Sequence, residues 1–148
     1  MTLARAAAVR NIKNVVCTNE ENLMSTMEER LKNAKALLEA GNMIEGRMAL
    51  LELLKDEPHN AATLLMLGGV YFYEKKYAEA EMVYERLILA EPGSGMLSIA
   101  LFNSLWHQGR HGEAAEEIRR FISVADRVQE RETLAKYAEV IKNLTGQE

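Results

Sequence analysis

The sequence predicts an all-α solenoid: three helix-turn-helix repeats, preceded by an N-terminal helix and closed by a C-terminal one. Three observations point there. First, the chain resembles itself at a shift of 34 residues. Its only two prolines, Pro58 and Pro92, are 34 apart, and each follows a glutamate, Glu57 and Glu91. The same shift aligns Glu45, Glu79 and Glu113, the small residues Gly46, Ala80 and Ala114, and the large residues Leu37, Tyr71 and Leu105. It also aligns Leu50 with Tyr84 and Ile118, Leu53 with Leu87 and Phe121, and Leu54 with Ile88 and Ile122, while Gly41 and Gly109 stand two periods apart. Second, apolar residues within a unit recur three and four apart, the spacing of one helix face. Third, two prolines and nine glycines in 148 residues are too few for a turn-rich β fold, and the dominance of Ala, Leu and Glu, with eight Met, favours helix. A unit of this size cannot bury its apolar faces alone, so such units must stack.

Each element follows in order. Residues 1–24 read as a basic amphipathic arm and linker. Residues 1–19 contain no acid but carry Arg5, Arg10 and Lys13. A short helix over 3–16 would set Leu3, Ala6, Val9, Ile12 and Val16 to one side and Arg5, Arg10, Lys13 and Asn14 to the other. Such a helix either packs on the first repeat or frays, or serves as an arm for an acidic partner, a second copy or an anionic surface. The acid-free start also fits a short organellar transit peptide. Thr18 to Met24 is a polar linker. The first repeat, 25–60, opens at a capping box, Thr26-x-x-Glu29, with Ser25-x-x-Glu28 offering the same pattern one residue earlier. The second, 61–94, places Leu64, Leu67, Gly68 and Tyr71 on one helix face. Glu74-Lys75-Lys76 breaks the pattern, and Ala80, Val83, Tyr84, Leu87 and Ile88 form a second stripe that Pro92-Gly93 stops. Gly68 and Ala80 are expected to let two helix backbones approach. The third repeat, 95–126, keeps the spacing. Past Asp126 the register breaks, and 127–148 reads as a capping helix with Leu134, Tyr137, Ala138, Ile141 and Leu144 inward. Arg127, Glu130, Arg131, Lys136 and Lys142 supply its polar outer face.

Composition excludes several functions. With 48% hydrophobic and 27% charged residues the chain is globular rather than disordered. Its net charge of −4 lacks the basic excess of a nucleic-acid binder. No run reaches the roughly 18 apolar residues of a membrane span, and a cytoplasmic protein is expected. One cysteine, Cys17, allows neither an internal disulfide framework nor a Cys-rich zinc site. His107 and His111 have a spacing that can place two metal ligands on one helix face. Gly109-Arg110 puts them in a turn instead, with no acid or thiol set around them, so both are expected in solvent. His59 has no evident partner. Glu91-Pro92-Gly93-Ser94-Gly95 is a repeat joint, not a phosphate loop. The sequence therefore predicts no catalytic residue, no cofactor, no metal and no enzyme.

The repeat pattern resembles the tetratricopeptide repeat (TPR) family. The second unit carries the resemblance best, through Leu67-Gly68, Tyr71, Tyr77, Ala80, Tyr84, Leu87 and Pro92. The third keeps Leu101, Gly109, Ala114 and Phe121 but has Phe102 where the family prefers a small residue and Asp126 where it prefers proline. The first keeps Leu37, Gly41, Leu53 and Pro58 but has Asn33 at a large apolar position. The likeness covers residues 27 to about 128. It implies a right-handed superhelix whose concave face, lined by the first helix of each repeat, binds another protein. The residues it places there are Glu28, Leu31, Lys35, Leu38 and Glu39, then Ala62, Leu65, Met66, Gly69, Phe72 and Tyr73, then Met96, Ile99, Asn103, Trp106 and His107. Tyr71, Tyr84 and Leu105 are core columns. Phe72 and Trp106 follow those columns by one residue and should form an exposed apolar floor, the kind of patch that marks an interaction site. The Lys and Asn clamp by which some of these repeats grip acidic C-termini of heat-shock proteins is absent. Its positions hold Leu31, Lys35, Met66, Met96 and Ala100. The expected partner is a protein or peptide segment with apolar anchors, oriented by Lys35 and Asn103. One leading helix, three repeats and one closing helix also look like bacterial type III secretion chaperones for translocator proteins, in layout alone. Two further readings stand beside this one: a self-assembling scaffold whose arm docks on a neighbouring copy, giving a homo-oligomer, and a targeting subunit of an enzyme.

Overall fold

The computed structural model describes residues 26–146. The arm helix over 3–16, Cys17, the linker and the alternative cap Ser25 lie outside the described residues. Within them the chain forms seven helices and no strand: α1 Met27–Glu39, α2 Met43–Asp56, α3 Ala61–Tyr73, α4 Tyr77–Ala90, α5 Gly95–His107, α6 His111–Val124 and α7 Arg131–Thr145. The starts of α1, α3 and α5 are 34 apart, and so are those of α2, α4 and α6. Each of the first five helices packs on the next, so odd and even helices make two layers.

The period extends to the atoms that begin and end the helices. An α-helix leaves its first N–H groups without partners, and a side-chain oxygen just ahead can accept one. Thr26, Asn60 and Ser94 do this for α1, α3 and α5, accepting the N–H groups of Glu29, Thr63 and Leu97 at 3.2, 2.9 and 3.4 Å. The turn from odd to even helix needs one residue with positive φ. Gly41 supplies it at +86°, Gly109 at +75° and, between them, Lys75 at +60°. The joint between repeats is tied from the even helix. Arg86 donates to the Pro58 carbonyl at 2.7 Å, and Arg120, one period later, to the Pro92 carbonyl at 2.8 Å.

Three of the aligned columns are core in every unit, whereas the Leu54, Ile88 and Ile122 column ends on an exposed Ile122. Gly46, Ala80 and Ala114 are buried, as are Leu50, Tyr84 and Ile118, and Leu53, Leu87 and Phe121. Tyr84 and Leu105 are buried as expected, whereas Tyr71 is half-buried. Gly68 works differently from the expectation. A Cβ there would come 2.7 Å from the Tyr84 ring, so the glycine makes room for an aromatic side chain rather than for a backbone.

The two ends of the stack differ. Helices α3 and α5 bury Thr63 and Leu67, and Leu97 and Leu101, while their counterparts in α1, Glu29 and Asn33, are exposed. Asn33 departs from the repeat pattern because no described helix covers that face. At the other end α7 starts 36 residues after α5, not 34, and packs chiefly on α5 rather than on the preceding even helix. Gly95 leaves the space that Glu130 and Thr133 fill. Tyr137 enters a cluster with Ile118 and Phe121, and its hydroxyl shares a 2.7 Å hydrogen bond with the fully buried Ser98. Burial pushes the Tyr137 phenol up to about 12, against the opposing pull of the Ser98 bond. Phe102, oversized for the repeat pattern, lies against the Tyr137 ring at 6.0 Å. Asp126, standing where proline was expected, accepts the N–H groups of Val128 and Gln129 at 2.9 and 2.8 Å and so turns the chain. The capping stripe is covered only in part: Tyr137 is buried and Leu134 half-buried, but Ala138, Ile141 and Leu144 are exposed.

Candidate binding groove

The odd-helix layer presents the face that the sequence assigns to binding. Between α1 and α3 lies an apolar hollow of about 340 Å³, lined by Lys35, Leu38, Glu39, Met43, Met66, Gly69, Val70 and Tyr73. It exists because Gly69 contributes no side chain where one would project: a Cβ there would meet nothing within 4 Å. Leu38 and Met66 are half-buried walls, and Tyr73, 71% exposed, stands at the edge. Lys35 and Glu39 face each other across 3.9 Å at the rim, an exposed pair of little energetic weight.

Six of the expected residues, Lys35, Leu38, Glu39, Met66, Gly69 and Tyr73, thus converge on one hollow. Three others, Ala62, Leu65 and Met96, line a second of about 150 Å³ between α3, α4 and α5, with Leu87. The rest are dispersed. Leu31 is half-buried against the main core, and Asn103 is half-buried on α5. Ile99 packs toward α7, against the Ile118, Phe121 and Tyr137 cluster.

Phe72 and Trp106 require a correction. They are not an open floor. Both are half-buried against the core, and each is covered by other rings at the helix turns. Phe72 meets Tyr77 and His107 edge-on at 5.2 and 5.4 Å, and His107 stacks on Tyr77 at 4.8 Å. Trp106 is stacked on Phe102 at 5.6 Å and on His111 at 3.8 Å. The two histidines expected to be solvated in the turn are exposed residues whose rings nevertheless cover aromatic faces. His59 also has a neighbour, the Arg86 guanidinium at 3.5 Å. Sequence reasoning missed Met43 and Val70 in the first hollow. Met43 opens an even helix, and Val70 occupies a core position, so neither bears a groove signal.

Charge divides by layer. Helices α3 and α5 contain no Asp, Glu, Lys or Arg, and α1 carries three of each sign. Helices α2, α4 and α6 carry nine carboxylates against five Lys and Arg. The groove is therefore apolar and electrically neutral, and the opposite layer is acidic. Among the described residues no three His, Cys, Asp or Glu side chains gather as a metal site. No helix among them is long and apolar enough to cross a membrane.

No family model and no curated protein sequence matches the chain. Solved structures do. The D159K mutant of MamA is 20% identical with a TM-score of 0.63, over 82% of this chain and 69% of that one. The type III secretion translocator chaperone SycD of Yersinia enterocolitica, in an alternative dimer, is 15% identical with a TM-score of 0.68, over 83% of this chain and 96% of that one. SycD in complex with a peptide of the translocator YopD is 14% identical with a TM-score of 0.69, over 81% and 92%. The fold is a TPR-like helical-repeat solenoid.

Proposed function

We propose that the odd-helix groove captures an uncharged, apolar segment of another protein, and that the chain works as a non-catalytic adaptor or chaperone in the cytoplasm. The carrying observation is the hollow of about 340 Å³ between α1 and α3, set in a layer whose α3 and α5 bear no Asp, Glu, Lys or Arg. A preformed apolar hollow suits one large side chain of a ligand, and a neutral floor disfavours charged segments, which would lose hydration without finding a counter-charge. Lys35 and Asn103 orient the ligand by polar contacts. The neighbour SycD, of the same fold and solved with a peptide, supports a peptide ligand.

The test is selection of peptides from a random display library on the immobilised chain, followed by titration against Gly69→Leu. The added side chain enters open space, so the helical circular-dichroism signal should persist while the hollow is filled. Losing the burial of one anchor costs about 1.5–3 kcal/mol, a fall in affinity of about 10-fold or more. Selected peptides should be rich in large apolar residues and poor in charge. Peptides that bind Gly69→Leu and the parent equally would refute this site.

A further inference from the structure

The even-helix layer carries an apolar surface that the groove reading does not use. On α2 the side chains of Ile44, Met48 and Leu51 are 65, 60 and 40% exposed. Their spacing of four and three puts them in one row along the outer face of the helix. Glu45 and Glu52 fall together on one flank of that row, about 80–100° around the helix from Ile44 at 3.6 residues per turn. Glu52 is held by Lys55 at 2.7 Å, whereas Glu45 meets no cation among the described residues.

The row is not a general property of the repeat. One period on, its positions hold Ala78, Met82 and Glu85. Two periods on they hold Gly112, Glu116 and Arg119. The outer face is apolar throughout only in the unit to which residues 1–25 are attached. Those residues have the complementary chemistry: Leu3, Val9, Ile12 and Val16 beside Arg5, Arg10 and Lys13, with no acid before Glu20.

We infer that residues 3–16 dock in the same molecule along the outer face of α2, on the Ile44, Met48 and Leu51 row with its carboxylate edge. Charge selects this surface over the groove. Three cations laid on the neutral floor of α3 and α5 would lose water and gain no partner, whereas on this face Glu45, which meets no cation among the described residues, offers one. Reach permits it. The first turn of α1 lies beside the last turn of α2, where Arg30 meets Asp56 at 2.6 Å. From there the row begins at Leu51, about 8 Å back along the helix, and ends at Ile44, about 18 Å away. The ten or so residues between Val16 and Met27 span up to about 33 Å when extended. The inference does not depend on what the groove binds.

Cys17, the chain's single thiol, gives the test. A nitroxide on Cys17 of the full-length chain should broaden the amide resonances of Ile44, Glu45, Met48 and Leu51, and leave those of Met66, Gly69 and Tyr73 sharp. Label on an isotopically silent chain mixed with unlabelled visible chain should broaden neither set. Met48→Lys with Leu51→Lys alters only exposed side chains, removes both the apolar row and the charge match, and should abolish the effect, and high salt should weaken it. Broadening of the groove amides, broadening in the mixed sample, or none on α2 would each overturn the inference.

Discussion

Lys75→Gly should stabilise the protein, and the size of the effect follows from one dihedral. Lys75 sits at φ +60°, in the position that Gly41 and Gly109 occupy one period to either side. A left-handed conformation costs an L-residue with a side chain about 1–2 kcal/mol. Glycine removes that cost but gives the unfolded chain extra freedom worth about 0.4–1 kcal/mol. The difference leaves about 0.5–1 kcal/mol in favour of glycine. Nothing else is lost. The turn is held by backbone bonds, Lys75 N–H to Phe72 O at 3.0 Å and Lys76 N–H to Tyr71 O at 2.8 Å, and the exposed Lys75 ammonium makes no ion pair among the described residues. Urea unfolding followed by circular dichroism should show a higher midpoint at unchanged slope, and the melting temperature should rise by about 1–4 °C. The reverse changes, Gly41→Ala and Gly109→Ala, meet no neighbouring atom within 4 Å. They should lower the midpoint through backbone strain alone. A midpoint for Lys75→Gly that falls or stays put, with Gly109→Ala harmless, would refute the reasoning.

Tyr137→Phe leaves the fully buried Ser98 hydroxyl without its 2.7 Å partner and should cost about 1–3 kcal/mol. Ser98→Ala in the same chain should recover part of that loss in a double-mutant cycle of urea midpoints. Alkali should act through the same residue. The folded phenol is held up to about 12, above its ordinary value of 10.0, so the unfolded chain releases its proton first. Stability is then intact below pH 10 and falls as pH rises from 10 to about 12, by about 2 kcal/mol from Tyr137. Burial shifts Tyr84 in the same direction. Urea midpoints measured at pH 8, 10 and 11.5 should decline, and Tyr137→Phe should flatten the decline.

The architecture was legible because it is written in columns of side-chain size: Leu50, Tyr84 and Ile118 share no chemistry beyond bulk, yet all three are buried. What escaped depends on atoms that residue-type comparison hides. Thr26 is marked as a cap by the glutamate three residues on, but Asn60 and Ser94, which place the same acceptor oxygen ahead of α3 and α5, have Thr63 and Leu97 there and were missed. Lys75 conceals a turn position that two glycines advertise. The lining of the hollow was legible at Lys35, Leu38, Glu39, Met66, Gly69 and Tyr73, whose common side follows from the repeat register. It was misread at Phe72 and Trp106. Their cover comes from His107 and His111, and that stacking is set by the path of the turn rather than by helix periodicity. Ile99 was misplaced for a related reason: its surroundings depend on α7, and the 36-residue offset of α7 follows no period in the sequence.

The unequal ends give the array a direction. Glu29 and Asn33 present ionic and amide groups where an added module would need methyl groups, whereas Ala138, Ile141 and Leu144 still offer hydrocarbon. Engineered lengthening should therefore succeed by grafting a helix after Thr145. A module inserted ahead of Thr26 should remain undocked until Glu29 and Asn33 are exchanged for leucines.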